Sequence, residues 1–263
     1  MEKVHKQRIL TAVITLPLII WLIVFSPFFL FFIFIFFVGF IASLEQVNLW
    51  HLPNKNFSFF YTLLSLIVLL GFAFSSPVLG LLMAFFILSI YFIWTYGHKS
   101  EISSFFTIGI FSIIYPNLLL GHAFSFLTLP QGRKFLLWIL FIVFAADTGA
   151  FYMGRKFGKH KIYPAVSPKK SWEGLIGCIG SAFILGIIAS FFLPLNTLKI
   201  LFLSFIIAIF EQIGDFFESA LKRQAGCKDS GKILPGHGGM LDRIDGVLFA
   251  LPVSYYFLSW WLK

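Results

Sequence analysis

The chain has 263 residues, 59% hydrophobic and 12% charged, with a mean hydropathy of +0.92 and a formal net charge of +9. Soluble domains carry about a quarter charged residues, so a water-soluble globule is excluded: a chain this short cannot hide that much apolar surface. A nucleic-acid binder is not indicated either, because the basic residues fall in loops between apolar runs and no basic stripe is interleaved with aromatics. With only Cys178 and Cys227, there is neither a disulfide framework nor a zinc site.

A membrane-spanning helix needs roughly 20 mainly apolar residues. Such windows recur in chain order at about 9–25, 27–43, 58–74, 77–96, 104–127, 135–152, 174–193, 199–218 and 246–262. They predict an all-α integral membrane protein, a polytopic bundle of about nine transmembrane helices. Only Ser26-Pro27 separates the first two windows. The basic start and apolar run resemble a secretory signal, but no small-residue cleavage site follows, so the segment is expected to be retained. With the N-terminus cytoplasmic, all of the 20 Lys and Arg except Arg133, Lys134, Lys199 and Lys263 fall in inside loops. The positive-inside rule therefore supports an odd span count and that orientation.

Residues 1–263 read as a single polytopic domain, with 1–134 mainly packing helices and 135–263 a catalytic half. The 37 phenylalanines are read as packing and interfacial bulk. No internal repeat of the transporter kind is visible. Asp147, Glu173, Glu211, Asp215, Glu218, Asp229, Asp242 and Asp245 make up most of the 11 acidic residues. Of these, Asp147, Glu211, Asp215 and Glu218 fall inside or at the end of predicted spans. A carboxylate there costs about 2.5 kcal/mol or more unless it is paired, metal-bound or facing water.

Helical spacing puts Glu211, Asp215, Glu218, Ser219 and Lys222 on one face of a helix that ends in Lys222-Arg223. Glu218 and Lys222, at i and i+4, also suit a plain interfacial ion pair. After a loop comes His237-Gly238-Gly239, then Asp242-Arg243-Ile244-Asp245 directly before the last window. The glycines permit positive φ and close backbone approach to phosphate oxygens. Asp242 and Asp245 could share a divalent ion or simply cap a helix. A second polar region runs from Asp147 through Gly154-Arg155-Lys156 and Gly158 to Ser167-Pro168-Lys169-Lys170-Ser171-Trp172-Glu173-Gly174. Glycines mixed with Lys, Arg and Ser suit a phosphate-binding surface, and a topogenic basic loop is the plainer reading. Hard oxygen donors favour magnesium over zinc.

These residues resemble the phosphatidate cytidylyltransferase (CDP-diacylglycerol synthase) family. The likeness is carried by Ser219-Ala220-Leu221-Lys222-Arg223, Lys228-Asp229, His237-Gly238-Gly239 and Asp242-Arg243-Ile244-Asp245, with the Asp147 and Ser167–Gly174 segments upstream. The resemblance implies transfer of CMP from CTP to phosphatidate, giving CDP-diacylglycerol and pyrophosphate, by a magnesium-dependent homodimer in the bacterial inner membrane with its active site facing the cytoplasm. It leaves the number of metal ions at one or two and admits a monovalent cation. By that resemblance Asp215 and Asp242 hold the metal, with Asp245 as a further ligand or an orienting catalytic group, and Lys222, Arg223 and His237 act at the reacting phosphates. Ser219, Lys228, Gly238, Gly239, Arg243, Lys169, Lys170, Ser171 and Asp147 bind substrate. The competing readings are a cation-coupled transporter and another nucleotide-dependent lipid transferase or kinase.

Overall fold

The computed structural model describes residues 15–52, 55–95, 102–233 and 238–262. The start of the first predicted span, the loop lysines Lys3, Lys6 and Lys99 together with Arg8 and Lys263, and the candidate His237 lie outside them. The described residues form helices and their connections: α1 (Thr15–Val24), α2 (Phe28–Asn48), α3 (Lys55–Ala73), α4 (Pro77–Thr95), α5 (Ile102–Ile114), α6 (Asn117–Ser125), a 3₁₀ turn (Phe126–Thr128), α7 (Gly132–Phe157), α8 (Trp172–Ala189), α9 (Thr197–Gln224) and α10 (Leu241–Trp261). Seven stretches are long and apolar enough to cross a membrane: α2, α3, α4, Phe105–Thr128, α7, α8 and α9. α1 is apolar but short among the described residues, and α10 opens on Asp242, Arg243 and Asp245. The protein is thus the polytopic helical membrane protein that the apolar windows predict.

One predicted span is not a single helix. The window at 104–127 breaks at Pro116, which follows a cis peptide bond, into α5 and α6. Proline has no N–H to donate to the preceding turn, and its ring crowds it, so α5 stops short and α6 starts afresh.

The chain divides into two compact units, Met1–Ser125 with Asp229–Arg243, and Phe126–Lys228 with Ile244–Lys263. In the first, α3 and α4 cross at Gly71 and Gly80, where a Cβ on Gly71 would stand 2.7 Å from the Gly80 Cα. Ser43, Ser65 and Asn117 form a buried chain, with Asn117 Nδ2 donating to Ser65 Oγ at 3.0 Å and Ser65 Oγ to Ser43 Oγ at 3.0 Å. In the second unit, α7 packs closely on α8 through glycine. A Cβ at Gly149 would overlap the Ser181 hydroxyl and the Gly177 carbonyl, and one at Gly177 would stand 2.5 Å from Gly149 O. Small residues are what membrane helices need for close approach, since lipid tails supply no hydrophobic drive between helices. α9 meets α10 the same way, at Gly214 and Gly246.

Candidate active site

The acidic face expected on α9 is present, and each of its members has a defined neighbour. Lys222 Nζ donates to Glu218 Oε2 at 2.7 Å, with both groups buried. The ion pair expected from their i, i+4 spacing is therefore present. Glu218 also lies beside Asp245, at the start of α10. One turn earlier, Ser219 Oγ donates to Asp215 Oδ1 at 3.2 Å. Deeper still, Glu211 is 1% exposed, receives both hydrogen bonds of the Gln212 amide, and lies beside Asp147 of α7. Burial, then the Asp215 charge, hold the Asp245 carboxyl above the usual carboxylate range. Carboxyl groups this close need a proton or a cation between them, because an ionised carboxylate only accepts.

Lys170 enters this cluster from the loop before α8. Its Nζ lies 2.6 Å from Asp215 Oδ2, as a close ion pair rather than an aligned hydrogen bond, and 4.2 Å from the centroid of the Phe216 ring. Ser171, the N-cap of α8, accepts from Gly174 N at 3.1 Å. The hydroxyl predicted to hold substrate thus also caps a helix, and the residue is almost fully buried. A Cβ on Gly158 would stand 2.7 Å from that hydroxyl. At least part of the glycine pattern therefore serves the approach of α7 to α8. Glu173 clips the same loop from outside, bonding His160 Nδ1 at 2.7 Å and the His160 N–H at 3.2 Å.

These elements enclose a cavity of about 720 Å³ lined by Asp147, Gly154, Arg155, Lys161, Lys169, Lys170, Ser171 and Asp215 among others. Four cations and two carboxylates on one wall suit an anionic ligand with bound cations. Five of the predicted substrate or metal residues, Asp147, Lys169, Lys170, Ser171 and Asp215, meet there. Arg155, from the glycine-rich basic run, and Lys161, which no motif marks, join them. Arg223 is turned elsewhere, donating to Val166 O at 3.4 Å and Cys227 O at 3.0 Å, and Lys228 is exposed.

In the first unit, the segment before α10 is held by two carboxylates. Asp242 Oδ2 accepts from Gly239 N at 2.8 Å and Ser230 N at 3.0 Å. Gly238 has the positive φ, +87°, that its sequence context suggested. Gly239 is glycine for another reason: a Cβ there would stand 2.5 Å from Glu45 Oε2. Glu45, on α2 in the presumed packing half, accepts from Leu241 N at 2.9 Å and Ser230 Oγ at 3.1 Å. No spacing rule links it to that segment.

Among the described residues, no three Asp, Glu, His or Cys side chains are arranged to hold one metal ion. The donor chemistry still fits magnesium. Asp215 and Asp245 are hard oxygen donors within the second unit, and magnesium is usually held by one or two carboxylates plus waters and substrate phosphates rather than by a protein cage.

Comparison with known proteins gives these features a family. The sequence model of the Cytidylyltransferase family matches residues 6–261. Phosphatidate cytidylyltransferases of Staphylococcus haemolyticus, Staphylococcus epidermidis and Staphylococcus aureus are 43%, 40% and 41% identical to the chain over 136 residues. That stretch is 51% of this chain and 52% of each relative, so the chain matches about half the length of these curated relatives. A family match that runs from residue 6 to residue 261, across the segments carrying Glu45, Lys170, Asp215 and Asp242, is decisive: the chain belongs to the Cytidylyltransferase family.

Proposed function

We propose that the protein is a phosphatidate cytidylyltransferase, joining CTP and phosphatidate to give CDP-diacylglycerol and pyrophosphate. The observation that carries this reading is the cationic cavity whose Lys170 is paired to Asp215, in a chain similar to relatives that bear that name. A phosphatidate oxygen forms the new bond to the α-phosphorus of CTP, and the bond from that phosphorus to the β-phosphate oxygen breaks as pyrophosphate leaves. Phosphate monoesters ionise a second time near pH 6, so the nucleophile is already anionic and needs no strong base.

The task left to the chain is to bring two polyanions together. Arg155, Lys161, Lys169 and Lys170 supply cations at the cavity wall, and Asp215 orients Lys170. Bound magnesium would neutralise phosphate charge and align the attacking oxygen with the leaving group. Asp215 and Asp245 are its donors in the second unit; Asp242 enters as a donor on the resemblance alone, as do His237, Arg223, Lys228 and Arg243 as phosphate contacts. The distribution of Lys and Arg supports a cytoplasmic-facing site, in a bacterial cell membrane given bacterial relatives. A homodimer follows from the family resemblance.

The test is pyrophosphate release from CTP by purified protein in detergent, with and without phosphatidate and magnesium. Release only with both supports the proposal. Turnover with ATP or a polyprenyl acceptor instead would refute it, as would no release under any condition.

A further inference from the structure

We infer that Glu45 is a positioning residue for the reaction proposed above, on which this inference rests: it fastens the segment before α10 and so fixes the orientation of Asp242. Glu45 is 5% exposed, near the C-terminal end of a helix otherwise made largely of Phe, Ile and Val. A buried carboxylate on an apolar helix is costly and persists when it has fixed partners. One of its oxygens has two. Oε2 accepts from the Leu241 N–H, at the first residue of α10, and from the Ser230 hydroxyl.

Ser230 links the two carboxylates. Its hydroxyl bonds Glu45 while its N–H donates to Asp242 Oδ2, the oxygen that also receives Gly239 N–H. Gly231 and Gly239 lie so close to the Glu45 carboxylate that a Cβ on either would overlap it or nearly so. Ser230, Gly231, Gly239 and Leu241 therefore close around Glu45, and the acceptor placed at a buried helix N-terminus is a negative charge, which the helix dipole favours. Glu45 touches neither substrate nor reacting atom in this account. It acts through the segment that carries Asp242.

Three variants separate fastening from charge. An amide oxygen can accept from Leu241 N and Ser230 Oγ as a carboxylate does, so Glu45→Gln keeps the joint and removes the charge. Glu45→Ala removes both, and Ser230→Ala removes one bond from the other side. A displacement of about 1 Å at a reacting group can lower rate by 10²-fold. The expected result is a fall in kcat of that order for Glu45→Ala, with KM for CTP within about threefold of the unmodified protein. Glu45→Gln should recover kcat to within about fivefold, and Ser230→Ala should lower it about three- to tenfold. Hydrogen exchange at the Gly239 and Leu241 amides should quicken in Glu45→Ala and not in Glu45→Gln.

Glu45→Ala with kcat within threefold of the unmodified protein overturns the inference, and so does a Glu45→Gln loss as large as that of Glu45→Ala, which would assign the role to charge. Should Glu45→Ala fail to accumulate in membranes, unchanged turnover in Ser230→Ala refutes the inference. Turnover of the unmodified protein in the same preparation tests the reaction itself, and the exchange rates report the fastening whatever the substrate.

Discussion

Replacing Lys170 with methionine tests the reading of the cavity most directly. Methionine keeps an apolar stem against the Phe216 ring and removes only the ammonium that sits 2.6 Å from Asp215 Oδ2. At that distance and an effective dielectric of about 20, the gross Coulomb attraction is about 6 kcal/mol. The two side chains are 17% and 29% exposed, so water screens the pair. Desolvation and side-chain ordering offset most of the remainder, so the net contribution to stability is about 1 kcal/mol. Asp215 keeps the Ser219 hydroxyl, so the fold should survive and the melting temperature in detergent should move little. Catalysis should not survive as well. A donor aimed at developing phosphate charge is worth about 2.7–4 kcal/mol, so kcat/KM for CTP should fall by about 10²–10³. The assay is pyrophosphate release under saturating phosphatidate, with melting measured on the same preparation. A loss under threefold, about 0.7 kcal/mol, would refute the placement of Lys170 at the reacting phosphates.

Asp215→Asn should reduce cytidylyl transfer from labelled CTP to background while leaving membrane insertion intact, and near-normal turnover would sink the assignment of Asp215 as a metal donor. Lys222→Met leaves the buried Glu218 carboxylate without its cation, a loss of about 3–5 kcal/mol that should appear as reduced folded yield on size exclusion. Adding Glu218→Gln to that variant should restore most of the yield; no recovery would show that the pair is not what the fold depends on. Gly149→Val drives a branched side chain into the Ser181 hydroxyl and the Gly177 carbonyl, and should lower stability by about 1–3 kcal/mol in a thermal melt. An unchanged melting temperature there would mean the α7–α8 contact is looser than described.

The membrane class was legible from the chain because apolar windows report directly on the solvent a segment prefers. The α9 face was legible too, since the helical period alone predicts that Glu218 reaches Lys222 and that Asp215 reaches Ser219. Hydropathy is blind to backbone chemistry, so the window at 104–127 looked continuous although Pro116 was present to break it. Ser171 is a predicted phosphate contact by residue type and lines the cavity, while its position three residues before Gly174 also makes it the cap of α8. Glu45 was missed for a physical reason. Its partners lie 185 and 196 positions away, and only the folded chain brings them together.

That separation has a consequence for how the protein is made. The first unit is discontinuous, and its last piece, Asp229–Arg243, is synthesised long after α2. At about 5–20 residues per second, the 196 positions between Glu45 and Leu241 correspond to roughly 10–40 s of translation. Throughout that interval α1 to α6 can enter the bilayer and pack, but Glu45 has not met its partners. The closure of the first unit is therefore a late event in biogenesis, timed by the ribosome rather than by helix insertion. A nascent chain halted before Leu241 would hold the buried carboxylate without the amide that it receives in the finished protein.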